Sequence, residues 1–360
     1  MRRAMPAGIL LFASSGIAAA LSPSEPFHLF PPPRSHYFEE APPREEFVLD
    51  VARPLGGGEA EPRLGGGGAT PEEGLAAAPF AVAPKIAAPS RTWPTLITIG
   101  VIAGSAVSSL DVGHERHSFH FGNEEWFGEG TYAGGADKAS HFVFYNGLSR
   151  ELAVTYGRYG YSRNQSTLMA FATAAAAGLL VEIGDGLTVF GFAWEDFAMD
   201  TLGAGTAAVM TRYGLDDTMG FRFGKMTADQ PPPCCRTPGV GKDYSQEIYT
   251  ADLKLAGFAR RLNLRPGPAR FLLLSATYGS KGYRYSEPSF RQRQIGVELG
   301  INFPEILTAI GVSDQKWWGR ALYMIFNFVR IPYTAIGFRY DLNHHRWDGP
   351  DAGNDYDPGP

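Results

Sequence analysis

Acidic side chains set near the ends of three apolar, small-residue helices constrain this chain more than any other feature. The stretch from Asp137 to Met210 divides into three helical segments at glycine-rich turns. The first opens Asp137-Lys138-Ala139-Ser140-His141-Phe142. The second ends Glu182-Ile183-Gly184-Asp185-Gly186. The third opens Trp194-Glu195-Asp196 and continues through Asp200 to Gly203-Ala204-Gly205. Ionisable groups are costly to bury unless they pair or bind something. Three neighbouring helices that carry them near their ends are expected to turn them toward one another.

Local spacing sharpens this. Asp137, His141 and Tyr145 are four apart and share a helix face. Asp137 reads either as an N-cap with His141 a core histidine it satisfies, or as half of an acid/base or metal-ligand pair. Ser162 with Gln165 has the form of a capping box and starts a helix to Ile183. Glu182 falls in its last turn, where the helix dipole disfavours a carboxylate, so a specific partner is expected. Gly184 is placed to supply a left-handed C-cap, leaving Asp185 in the turn. Glu195 and Asp196 suit a first turn. Asp200 lies one turn beyond Asp196, on the face expected to meet Glu182 and His141. The candidate cluster is His141, Asp137, Glu182, Asp185, Asp196 and Asp200. The sequence names no metal and no cofactor for it.

The chain begins like an exported protein. Arg2 and Arg3 precede an apolar run from Ile9, and Ala18-Ala19-Ala20 fits signal cleavage, giving a signal peptide over 1–20. An uncleaved inner-membrane anchor is the alternative. No Cys stands near Ala20, so lipid attachment there is not expected. Residues 21–93 are rich in Pro, Gly, Ala and Glu without apolar period and read as a disordered linker, with a tether or an envelope-threading role. Pro94 to Leu110 is apolar and uncharged, a helix at the short edge of a membrane span. His114, His117 and His120 follow in a polar, glycine-containing loop, where histidines are more often solvated than metal-bound. The two cysteines, Cys234 and Cys235, are adjacent and follow three prolines. They read as free or intermolecularly paired thiols.

After Arg212 the period changes from helical to two. Five strands are expected, at Gly220–Gly224, Ile248–Phe258, Phe271–Tyr278, Ile295–Asn302 and Ile336–Leu342, with short helices from Pro304 and from Trp317 between the last two. Polar alternates fit a sheet covered on one face. They also fit an outer-membrane wall, although five strands are too few to close one. The fold class is therefore α+β: a helical module of about four helices over 94–213, an antiparallel β-module with a helical insertion over 214–345, and a disordered tail over 346–360.

A net charge of −5 with 19% charged residues speaks against nucleic-acid binding. Twenty-four Phe and 16 Tyr fit aromatic strands or a membrane-facing surface. No nucleophile elbow, phosphate loop or dinucleotide fingerprint is present.

The ordered set of motifs resembles the YfiM-like family of predicted periplasmic lipoproteins of unknown function, in its longer Bacteroidetes-type members. The residues that carry it are Ser118-Phe119-His120-Phe121, Glu125-Trp126, Asp137-Lys138, His141-Phe142, Tyr145, Glu182, Asp185-Gly186, Asp196 and Leu202-Gly203. Lys242-Asp243-Tyr244-Ser245, Tyr278-Gly279 and Val329-Arg330-Ile331-Pro332 continue it. The helical part also resembles VanZ-like membrane proteins. The likeness implies a periplasmic or outer-membrane location and no particular activity. The expectation is an envelope protein with a structural or interaction role, its partner a membrane surface or envelope component. A metal-dependent or acid/base hydrolase built on His141 and the carboxylates is the first alternative. A VanZ-like integral membrane protein is the second.

Overall fold

Helical and period-two patterning divide the chain near Gly214, and the fold divides there too. A computed structural model describes residues 91–109, 116–225 and 243–351, apart from 246, 266, 284–287 and 315. The expected signal peptide, nearly all of the linker, His114 and both cysteines lie outside these residues.

Four helices form the first module: α1 (Thr92–Ser109), α2 (Ala136–Arg158), α3 (Arg163–Asp185) and α4 (Trp194–Tyr213). Small residues let them pack closely. Ala170, Ala174 and Ala177 of α3 and Ala204 of α4 are buried against Tyr145, Leu148, Leu152 and Tyr156 of α2. The capping box at Ser162 is formed in full. Two expected caps are not. Gly135, in the left-handed region at φ 84°, caps α2, and Asp137 sits inside the first turn. Gly184 remains helical and Gly186 caps α3, so Asp185 is its last residue. A side chain on Gly184 would collide with Ser109 at the end of α1, so close helix contact explains that glycine.

The second module is a seven-stranded sheet. Its elements are β1 (Met219–Lys225), β2 (Glu247–Lys254), α5 (Leu255–Arg261), β3 (Leu272–Lys281), β4 (Gln292–Ile301), α6 (Phe303–Ala309), α7 (Trp317–Phe328), β5 (Val329–Arg330), β6 (Ala335–Asp341) and β7 (Arg346–Asp351). The strand order is β5-β1-β2-β3-β4-β6-β7. All pairs are antiparallel except β1 with β5. The α+β class holds. Three details differ from the sequence reading. The strand beginning at Ile248 ends at Lys254, because Leu255–Arg261 turns helical where Gly257 lets it close on Asp217. Residues 346–351, expected in a tail, form β7 as the second arm of a hairpin with β6, although Gly349 and Pro350 break the alternation that marks a strand. The two-residue β5 is too short for any period.

The sheet curls, and its chemistry is reversed from that of a soluble sheet. Arg330 on β5 makes a two-pronged ion pair with Glu298 on β4, with Nε–Oε1 and Nη2–Oε2 both 2.8 Å. In a flat sheet these strands would lie about 19 Å apart at the usual spacing, far beyond an arginine's reach. The face carrying them is therefore concave. It also holds the buried Arg222, Asp252, Ser275, Gln294 and Arg339. A small pocket of about 10 Å³ lies between Thr277, Gln294 and Arg339 on this face. The outer face is apolar and exposed, with Val297 at 56%, Ile336 at 54% and Phe338 at 54%.

The helical module sits against one end of that outer face. Phe142 of α2 meets Phe221 of β1 at 4.9 Å between ring centres. The Ser280 hydroxyl donates to the Ala133 carbonyl at 2.7 Å. An open cleft of about 1030 Å³ remains between the modules, walled by Phe142, Met199, Leu202, Tyr249, Val297 and Phe338.

Candidate functional site

Three helices bring five of the six sequence-predicted residues together. On α2, Asp137 and His141 stand one turn apart. On α4, Asp196 and Asp200 do the same. Glu182 comes from the last turns of α3. Gly178, one turn before Glu182, opens the space that the Asp200 carboxylate fills, since a Cβ there would lie 2.5 Å from Asp200 Oδ2. Glu182, Asp196, Asp200 and Asp137 are at most 4% exposed.

Glu182 has the partner its awkward position calls for. Its Oε2 accepts the Ala193 backbone N–H at 3.2 Å. Ala193 is the N-cap of α4 and has no capping side chain. The α3 carboxylate therefore caps the next helix, at its positive end.

His141 stands at the centre, its side chain one-fifth exposed at 20%. Its Nδ1 is 2.7 Å from Asp200 Oδ1 and 4.0 Å from Glu182 Oε1. Its Nε2 is 3.8 Å from Asp137 Oδ1 and 4.0 Å from Asp196 Oδ1. Two triads result, each with ligand atoms within 4.8 Å of one another: Asp137, His141 and Asp196, and His141, Glu182 and Asp200. Either offers one nitrogen and carboxylate oxygens, a donor set suited to a divalent metal.

Three members go beyond the sequence-predicted set. Lys138 is buried, and its ammonium lies 2.6 Å from Glu124, 2.7 Å from Asp196 and 3.1 Å from Asp137. Glu124 enters from the segment before α2. The Tyr244 hydroxyl, from the segment before β2, donates to Asp137 Oδ1. The Asp137-Lys138 dipeptide is visible in sequence, but a lysine in a first turn ordinarily points to water.

Charge and burial set the protonation states. Burial pushes the Glu182 carboxyl up to about 9; His141 opposes this, and the Asp196 and Asp200 charges add to it. Burial, then Asp196 and Asp137, raise Glu124 to about 8. Burial also raises Asp196 and Asp200, against His141. Asp137 goes the other way: burial acts upward, but His141, Lys138 and the Tyr244 hydroxyl outweigh it and hold the carboxyl below its usual range. Burial would lower His141, yet Asp196, Asp200 and Asp137 raise it well above an ordinary histidine.

Asp185 does not join the triads. Its carbonyl closes the turn after α3, accepting from Thr188 and Gly191, and its charge adds to the upward push on Glu182. His117 and His120 lie edge to face, ring centres 6.2 Å apart, and belong to neither triad.

Residues 123–212 match the model of a family described as predicted periplasmic lipoprotein (DUF2279). The match spans about a quarter of the chain. It contains Glu124, Lys138 and every acidic and histidine residue of the cluster, and stops before the sheet. It supports an exported, periplasmic protein of an uncharacterised family. No curated protein matches the chain, and no solved structure does.

Proposed function

We propose that this is an exported envelope protein that lies against a lipid surface by the outer face of its sheet and receives acyl chains in the cleft between its modules. One observation carries this: the sheet's ion pairs are on the concave side and its apolar residues on the exposed side. Water-soluble sheets bury the apolar face. An apolar exterior around a polar interior is the chemistry of a wall facing lipid. Between Ile295 and Leu299 of β4, and at Ile336 and Phe338 of β6, the outer positions carry no charge. Such a surface offers a protein partner few polar groups to pair with, and suits hydrocarbon.

The location fits the family description. An outer-membrane seat is the specific form we favour, and the YfiM-like resemblance agrees with it. The VanZ-like resemblance fits a bundle whose outer faces are apolar. Among the described residues α3 is the helix long and apolar enough to cross a membrane, but 44% of that window is buried in the bundle. Core helices share this character. Edge strands β5 and β7 have no mutual pairing among the described residues, so the reading is of a sheet resting on lipid and not of a closed barrel. The hydrolase alternative draws on the His141–Asp200 hydrogen bond. However, His141 does not line the apolar cleft, and both its nitrogens face carboxylates.

Flotation tests the proposal. The purified full chain is mixed with vesicles of phosphatidylethanolamine and phosphatidylglycerol and centrifuged through a density step. It should rise with the vesicles. Val297→Asp and Phe338→Asp, both at exposed positions, should return it to the bottom while leaving its circular dichroism unchanged. Wild-type protein that stays at the bottom without detergent would refute the reading.

A further inference from the structure

We propose that His141, Glu182 and Asp200 bind one divalent transition-metal ion through His141 Nδ1 and a carboxylate oxygen of each acid. The site is independent of the lipid-facing sheet.

The three donors come from α2, α3 and α4, and their ligand atoms lie within 4.8 Å of one another. A tetrahedral ion with bonds near 2.1 Å spaces its donors roughly 3.4 Å apart. The observed separations from Nδ1, 2.7 Å to Asp200 and 4.0 Å to Glu182, bracket that value. Small side-chain shifts bring both into range.

Two buried acids here also have unmet bonding capacity. Glu182 is 1% exposed and Asp200 fully buried. Glu182 Oε1 and Asp200 Oδ2 nevertheless have no hydrogen-bond partner. Buried carboxylate oxygens without a donor are strongly disfavoured; Glu182 Oε1 lies 4.0 Å from His141 Nδ1, and Asp200 meets that nitrogen through its other oxygen, Oδ1.

Glu124, Asp137 and Asp196 already share the Lys138 ammonium. On the far side of the imidazole, Glu182 and Asp200 have no lysine or arginine in an ion pair with them among the described residues. The two triads are therefore unequal. The Asp137–Asp196 side holds its cation as a side chain, and the Glu182–Asp200 side is left for a metal.

The surroundings complete a metal centre. Ala193 N–H fixes the second oxygen of Glu182. Metal at Nδ1 displaces that nitrogen's proton to solvent and leaves Nε2–H directed at Asp137 and Asp196. This is the carboxylate–histidine–metal arrangement that orients ligating imidazoles. One nitrogen with two carboxylates favours zinc, manganese or iron over magnesium and calcium, which prefer all-oxygen shells.

The full chain, stripped with chelator, is titrated with Zn²⁺ and with Mn²⁺ at neutral pH, and metal content is measured after desalting. One equivalent should remain bound and the melting temperature should rise. Glu182→Gln, Asp200→Asn and His141→Gln should each weaken binding by about 100-fold or more. A variant replacing His117, His120, Cys234 and Cys235 should bind as wild type does, which separates this site from adventitious thiol or loop-histidine binding. If the ligand variants fail to fold, pulsed EPR of Mn²⁺-loaded wild type decides, with coupling to one imidazole nitrogen expected. No retained metal, binding unchanged in Glu182→Gln, or Mn²⁺ without nitrogen coupling would overturn the assignment. Flotation on metal-free protein tests the lipid reading separately.

Discussion

The molecule buries charge in two places, and does so differently. Inside the curled sheet, two arginine–carboxylate pairs close on themselves. Arg222 holds Asp252 through two bonds, at 2.5 and 3.0 Å, and Ser275 adds a third at 2.7 Å. Arg330 holds Glu298 in the same way. Between the helices, acids outnumber bases: Glu124, Asp137, Glu182, Asp196 and Asp200 share Lys138 and His141. An interior closed by such pairs fixes a shape, because each paired group already has its complement. An unbalanced one stores an affinity for a cation.

The same chemical change should therefore have opposite weight in the two places. Asp252→Asn removes the carboxylate from a buried guanidinium and should cost about 3–5 kcal/mol, read as a lower denaturant midpoint. Retention of wild-type stability would dissolve the contrast.

The pH dependence should differ in sign. Burial pulls the Lys254 pKa down from 10.5 to about 7. Between those values the unfolded chain binds a proton that the folded chain does not, so this group adds stability as pH rises through that window. Glu124 is raised from 4.5 to about 8 by burial and then by Asp196 and Asp137. Its contribution is complete below 4.5 and is lost as pH climbs to about 8. Wild type minus Lys254→Met should slope upward across pH 7–10, and wild type minus Glu124→Gln downward across pH 5–8. Matching slopes in urea titrations would show that the two interiors are not distinct.

Smaller again is Glu182→Gln in metal-free protein. Burial already holds the Glu182 carboxyl up at about 9, so the amide replaces a neutral group near pH 7 and keeps an acceptor for Ala193. Stability should stay within about 1 kcal/mol of wild type; a loss as large as that of Asp252→Asn would mean that Glu182 serves packing alone. Least of all, Phe338→Asp on the exposed outer face should alter stability by about 0.5 kcal/mol or less, since its effect belongs to lipid contact.

The helical site is largely legible in sequence, because helices translate spacing into direction. Asp137 with His141 and Asp196 with Asp200 are four apart, and small residues around them announce close packing. Glu182 is flagged by sitting where the dipole opposes it. Its actual partner, a backbone N–H beyond the following turn, carries no residue-type signal. Lys138 escapes notice because only the fold turns it inward toward Glu124. In the sheet, alternation shows two faces but not which one is concave. That is decided by Arg330 reaching Glu298 across three intervening strands, and by β5, whose pairing with β1 is wholly non-local.

Tyr244 spans the junction between these worlds. Its hydroxyl, anchored just ahead of β2, terminates on Asp137, while the opposite flank of His141 contacts Asp200. The strand pair that begins just after Tyr244 and the helical bundle are thus tied at one buried hydrogen bond.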